Sequence, residues 1–196
     1  QTYEAYKKIP QLVSHLHLPI QSGSDRVLSA MKRGYTVLEY KSVIRKLIEA
    51  RPDITFSSDF IVGFPGETEE DFLKTIDVIK DLEFDQSYSF IYSKRPGTPA
   101  SMLKDDISME EKKERLNHLK ETINKLSKNK SKLIVGGKDE ILVEGISSKY
   151  NNMVIGRTRN NKLISVPGNK NLIGKIIDIK ITELSNRSLK GEIVNI

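Results

Sequence analysis

The sequence predicts an α/β domain followed by a small all-β barrel, and three observations carry that prediction. Strand-like apolar runs alternate with helical periodicities from the start to about residue 128. Short β-branched runs separated by Gly, Asn, Ser and Pro fill the remainder. The charge divides at the same place: residues 1–128 hold 20 Lys+Arg and 20 Asp+Glu, whereas residues 129–196 hold 12 against 6 and so carry the whole formal charge of +6. The expected domains are therefore 1–128 and 129–196, the second suited to a polyanionic partner or, on the plainer reading, simply a solvated basic surface.

Each element has its own signal. Residues 1–12 read as the end of a helix broken at Pro10, and His15–Ile20 as a buried strand leading into the turn Gln21–Ser24. Ser22 with Asp25 predicts a capping box on a short helix that Gly34 ends, and Thr36 with Glu39 predicts a second one. The helix after Thr36 places Val37, Tyr40, Val43, Ile44, Leu47 and Ile48 at helical spacing, until Arg51-Pro52 stops it. Ile54–Val62 reads as the next strand, followed by the loop Gly63–Thr68 and a helix capped by Thr68 and Asp71 with Phe72, Ile76 and Ile79 inward. Ser87–Tyr92 is the third strand, Lys94–Pro99 a rigid loop, and Ser108 opens a long charged helix whose stripe is Leu116, Leu119, Ile123 and Leu126. The β region is expected to use Leu133–Val135, Glu140–Val143, Met153–Ile155, Leu163–Val166, Ile176–Thr182 and Leu189–Val194.

Strand, polar loop and helix in repetition predict a parallel sheet, and an open Rossmann-like sheet and a (β/α) barrel both fit the pattern. In either, ligands lie at the C-terminal ends of the strands, which points to the three loops after them. In the first loop Gln21 offers a donor and an acceptor, while Ser22 and Ser24 suit helix capping. Arg33, beyond a short helix, is a fork for a carboxylate or a solvated cation at a helix end. Asp59 interrupts an apolar strand and must either grip a ligand, such as ribose hydroxyls, or be held by an internal ion pair. Gly63 and Phe64 open the second loop, where glycine lets main-chain groups approach a ligand. His15 and His17 alternate on one strand face; packing with local hydrogen bonds is the preferred reading over a metal site, since the chain has no cysteine and only one further histidine, His118.

The absence of cysteine excludes disulfides, thiolate metal ligands and a cysteine nucleophile within these residues, and fits a cytoplasmic location. No apolar run approaches the ~18 residues of a membrane span, and the first residues do not read as a signal peptide. A phosphate-loop reading of Gly168–Lys175 fails, because five residues rather than four separate the glycines and Ile176 stands where Ser or Thr belongs. The stretch Gly156–Lys162 presents Arg157, Arg159, Asn160 and Lys162 as a hairpin of donors for phosphates and base edges. Tyr150 is the only aromatic residue after 128, so charge and hydrogen bonding are favoured over base stacking.

Three stretches, "HLHLPIQSGSDRVLSAMKRGYT", "SSDFIVGFPGETEEDF" and "FIYSKRPGTPA", closely resemble the MiaB-type methylthiotransferases, a branch of the radical S-adenosylmethionine (SAM) enzymes. The resemblance is collinear along the chain. It implies that residues 1–128 form the second half of a partial (β/α) radical SAM barrel and that 129–196 form a TRAM domain, a small β-barrel for RNA. By that resemblance Gln21 and Asp59 contact the cofactor's ribose, Arg33 takes its methionine carboxylate, and Ile61–Phe64, Gly63 among them, line the adenine; Ser22 is counted with these cofactor-binding residues. Arg95 and Thr98 match the side where substrate base and sulfur donor approach, and the expected RNA-binding residues are the hairpin's Arg157, Arg159, Asn160 and Lys162.

The family uses S-adenosylmethionine and two 4Fe-4S clusters, and its cluster cysteines lie on segments this chain does not match. The chain is therefore expected to be the later part of a longer enzyme and inactive alone. The implied reaction adds a methylthio group at C2 of N6-isopentenyladenosine beside the tRNA anticodon, one cluster generating a 5′-deoxyadenosyl radical and the other delivering sulfur. Two rivals are an RNA-binding module only, and action on a different adenosine, threonylcarbamoyladenosine. A complete small α/β enzyme is disfavoured, because three strand–helix units leave a sheet edge uncovered near His15–Pro19. That edge predicts self-association.

Overall fold

Thr36 and Thr68 cap helices in the computed structural model of the chain, which describes residues 2–148, 152–185 and 188–195; Tyr150 lies outside these. The chain forms two compact units, one of Leu16–Ser127 with α1 (Thr2–Lys8), the other of Pro10–His15 with the residues from Lys128 onward. No helix among the described residues is long and apolar enough to cross a membrane.

In the first unit the strands β1 (His15–His17), β2 (Thr55–Val62) and β3 (Gln86–Ile91) form a sheet in that order. β2 and β3 run parallel, with Asp59 beside Tyr88 and Ile61 beside Phe90, and Gln21 continues the β1 side by a parallel bridge to Phe60. Helices α2 (Asp25–Ala30), α3 (Val37–Ala50) and α4 (Glu69–Leu82) follow the first two strands. Phe60 and Val62 of β2, Leu28 of α2, Ile44 and Leu47 of α3, and Phe72, Ile76 and Ile79 of α4 are all at most 1% exposed. Burial of each such side chain contributes about 1.5–3 kcal/mol. Tyr88 and Phe90 are more than half exposed. After a 3-10 turn (Pro99–Met102), α5 (Met109–Leu133) buries Leu119 and Ile123, and Ser108 accepts the Glu111 N–H at its start.

Three local expectations are corrected. The first strand ends at His17, because Pro19 has no N–H to give and Leu18–Ile20 bond to β2 singly instead of as a ladder. The N-cap of α2 is Ser24, which accepts the Val27 N–H, so Ser22 and Asp25 make no capping box; Asp25 accepts the Val37 N–H at the start of α3. Leu133–Val135 is not a strand. The helix runs to Leu133 and stops before Gly136, whose φ of 90° only glycine adopts freely.

The second unit is a closed barrel of β4 (Lys138–Ile146), β5 (Met153–Thr158), β6 (Leu163–Pro167), β7 (Ile176–Ser185) and β8 (Ser188–Asn195), in the order β4-β5-β6-β8-β7. Alternation of the strands sends Ile141, Val143, Val154, Ile164, Val166, Ile177 and Ile179 inward, each at most 2% exposed. Closure pairs each strand of the barrel on both sides, β6 with β8 over two residues.

Candidate functional site

The segment that leads into the first loop is pinned by hydroxyls. Tyr40 Oη donates to the Leu18 carbonyl at 2.7 Å, and Tyr35 Oη to those of Pro19 and Ile20 at 3.2 and 3.1 Å. Ser58 Oγ donates to Leu18 O and accepts the Ile20 N–H. Burial pushes the Tyr40 phenol well above its ordinary range, so it stays a donor at any ordinary pH. Gln21 follows with φ 76°, a left-handed backbone unusual for a non-glycine residue. It is held there from both sides: its N–H donates to Asp59 O and its carbonyl accepts the Ile61 N–H, both at 2.9 Å. Strain retained by its surroundings is characteristic of ligand sites.

The serines of this turn face inward. Ser22 is fully buried, its Oγ 3.4 Å from Thr75 Oγ1 and accepting the Ser24 N–H. Gly23 donates to Thr75 Oγ1 at 2.8 Å and lies so close to α4 that a Cβ would run into the Lys74 carbonyl. Ser24 Oγ donates to Asp71 at 2.6 Å, and Arg26 pairs with the same carboxylate. Burial pushes the Asp71 carboxyl up, but the bonds from Arg26, Ser24 and Thr68 outweigh it and hold it well below the usual carboxylate range.

The loop after β2 is tied by charges that sequence reasoning missed. Gly63, at φ 68°, donates to the buried Glu67 carboxylate at 2.7 Å. Arg115 of α5, 4% exposed, reaches Glu67 at 2.9 Å and Glu111 at 2.5 Å, and its guanidinium lies over the Phe72 ring. Lys112 packs its stem where a Cβ on Gly63 would be and places its ammonium on Asp105. Burial raises the Glu67 carboxyl, while the Gly63 N–H and Arg115 act in the opposite direction. Phe64 is buried and meets Tyr92 edge-on at 5.2 Å; the Tyr92 hydroxyl is buried with no partner among the described residues.

On the face with Tyr88, His17 Nδ1 lies 3.0 Å from Ser57 Oγ and Nε2 lies 3.5 Å from Asp59, with the Tyr88 ring edge-on at 5.9 Å. Asp59 thus has an internal partner and still keeps part of its carboxylate exposed. His118 packs against Phe72 instead. Among the described residues no three His, Asp or Glu side chains gather as a metal site.

The structure brings Gln21 and Asp59 together through their backbones, and Gly63 and Phe64 continue from Asp59's strand. It leaves Arg33 exposed at the end of α2, unpaired with any described carboxylate. Arg95 is exposed as well. It opens a turn through Pro96 and Gly97 (φ 81°), closed by Thr98 Oγ1 donating to the Arg95 carbonyl at 2.8 Å.

In the second unit the hairpin donors engage their own surroundings. Arg157 reaches Asn161 and Glu144, Arg159 reaches Glu140 and the Pro10 carbonyl, Asn160 donates to Ser14 O, and Lys162 to Ser131 Oγ.

Comparison with known proteins follows the same two units. The radical SAM superfamily matches residues 1–79, and the TRAM domain matches residues 132–194. The tRNA-2-methylthio-N(6)-dimethylallyladenosine synthase of Francisella philomiragia is 56% identical over 97% of this chain, and that of Xylella fastidiosa 57% over 97%. The chain spans only 43% and 38% of those relatives' lengths. Among solved structures, Escherichia coli coproporphyrinogen III oxidase, titled a radical SAM enzyme, is 13% identical, with 90% of this chain and 44% of that one covered and a TM-score of 0.50. That likeness speaks to fold alone. Residues 1–79 thus match the radical SAM superfamily and residues 132–194 the TRAM domain, and 97% of the chain is similar to part of the tRNA-2-methylthio-N(6)-dimethylallyladenosine synthases.

Proposed function

We propose that this chain supplies the cofactor-orienting loops and the RNA-holding barrel of a tRNA methylthiotransferase, which adds a methylthio group at C2 of N6-isopentenyladenosine beside the anticodon in the cytoplasm. The observation that supports this most is the backbone pairing of Gln21, in the loop after β1, with Asp59 in the middle of β2, in a chain 56% identical to a synthase named for that nucleoside.

The donor set suits S-adenosylmethionine. Asp59 and Gln21 would take the ribose hydroxyls, an arrangement in which His17 fixes one side of the carboxylate and leaves the other for ligand. Arg33, with no described carboxylate paired to it, would fork onto the methionine carboxylate. Gly63 and Phe64 would offer main-chain groups to the adenine, and the unpartnered Tyr92 hydroxyl stands beside that pair as a further donor or acceptor. Ser22 would act from beneath, by holding the turn on α4. When bound, the cofactor supplies the radical chemistry; the residues here orient it and exclude water. The 4Fe-4S clusters of the family do not fit these residues, since the chain has no cysteine to ligate them. Arg95 and Thr98 would meet the substrate base, and Arg157, Arg159, Asn160 and Lys162 would exchange internal contacts for RNA phosphates of the anticodon stem-loop. The β1 edge would also let the chain pair with itself, which light scattering over a dilution series would detect as a concentration-dependent mass.

The test is a chimera. This chain replaces the corresponding part of the Francisella philomiragia synthase, and tRNA from cells lacking their own synthase is examined by nucleoside mass spectrometry. The expected result is 2-methylthio nucleoside in the chimera and none with Arg33→Ala or Asp59→Ala. A folded chimera that forms none, or variants that work as well as the parent, would contradict the proposal.

A further inference from the structure

The second unit has a basic surface apart from the hairpin. From Lys128 to Lys138 the chain contains four lysines and no acidic residue. Lys128 and Lys132 sit one turn apart at the end of α5, both exposed, with side chains about 5–6 Å apart at their bases. The glycine turn then docks on β7, with Gly136 N–H donating to the Ile181 carbonyl and Ile181 N–H to that of Gly137. This docking sets the register of β4 on β7, and the register places Lys138 directly opposite Lys180 on the exposed face. Cross-strand neighbours have Cβ atoms about 4.5–5.5 Å apart, and like charges so placed repel.

These lysines differ from the hairpin cations in what surrounds them. Arg157 and Arg159 are paired with Glu144 and Glu140, whereas no described carboxylate pairs with Lys128, Lys132, Lys138 or Lys180. Glu192 stands directly opposite Lys180 on β8 and Asp178 lies two residues along β7, yet neither forms an ion pair with it. Lysines that no carboxylate among the described residues engages in an ion pair are available to an external polyanion. A membrane surface fits less well, because the apolar stripe of α5 is turned inward at Leu119 and Ile123.

We propose that Lys128, Lys132, Lys138 and Lys180 form a track for the RNA phosphate backbone, carrying the larger share of the ionic part of binding by the second unit. The proposal rests on the RNA reading above and deepens it.

The test measures binding of the whole chain to a synthetic anticodon stem-loop RNA over a salt series. Joint Lys→Gln substitution at the four positions is expected to weaken binding about tenfold or more at low salt and to flatten the log–log salt slope by about 0.7–1 per lysine. The joint Lys→Arg variant is expected to keep the slope, and far-UV circular dichroism to show both variants folded. An unchanged slope in the Gln variant would overturn the track, as would a slope carried instead by Arg157→Gln with Lys162→Gln. Tighter binding to phosphatidylserine vesicles than to RNA would overturn the choice of partner. No RNA binding by the unmodified chain would overturn the RNA reading itself.

Discussion

The loop after β2 is held by side chains from far along the chain: Glu67 takes the Gly63 N–H, Arg115 takes Glu67, and Lys112 fills the space over Gly63. The loop after β3 is held by itself, through a Pro-Gly turn and the Thr98 hydroxyl on the Arg95 carbonyl. The loop after β1 resembles the first of these, since Ser22, Gly23 and Ser24 all bond to α4 or to one another. Both belong to the same sheet, so the difference lies in the partners and not in the topology. Loops fixed from beneath keep one shape whether or not a ligand is present. A self-contained turn that leaves Arg95 exposed suits a substrate that enters and leaves.

Four substitutions bear on this contrast, and the first should have the largest effect. Arg115→Met leaves Glu67 buried without its counter-charge and is expected to cost about 3–5 kcal/mol in urea unfolding. A cost under about 1 kcal/mol would mean that charge does not hold the loop after β2.

Next is Asp71, whose depressed carboxyl makes a sign that can be checked. A carboxyl lowered in the folded state contributes stability above the ordinary aspartate range, and that stability is lost as the pH falls through its folded value. The unmodified chain should therefore lose about 2–3 kcal/mol below about pH 4 that Asp71→Asn has already lost at pH 7. Parallel pH profiles for the two proteins would break the link between the first loop and α4.

Gly23→Ala is expected to cost about 1–3 kcal/mol, because the new methyl meets backbone, which cannot yield, at the Lys74 carbonyl. Arg95→Ala should change unfolding by less than about 0.5 kcal/mol while impairing modification in the chimera. A large loss of stability there would show that the third loop is tied down like the others.

Local signals in the sequence led to much of this. Thr36 with Glu39 and Thr68 with Asp71 are capping boxes as expected, and the second and third strands are within a residue of where the apolar runs put them. Residues coupled over long separations were not legible. Glu67 and Arg115 are 48 positions apart and Ser24 and Asp71 are 47, so no periodicity relates them. Arg115 in particular reads as one more charge on a charged helix until Phe72 and Glu67 are seen beneath it. The end of α5 was misread for a different reason: Leu133–Val135 has strand composition, but Gly136-Gly137 is the stronger stop signal and it comes later. At the hairpin, residue types suggested a ligand surface, whereas Glu140, Glu144 and Ser14 already occupy several of its donors.

The central claim is that the first two loops are built before any ligand arrives and the third is not. Amide hydrogen exchange on the ligand-free chain tests it most directly. The account predicts that the Gly63 N–H, bonded to buried Glu67, and the Gly23 N–H, bonded to Thr75, exchange nearly as slowly as the Phe60 core strand. The Thr98 and Ser101 amides should exchange orders of magnitude faster. Equal exchange at Gly63 and Thr98, whether both fast or both slow, would contradict it.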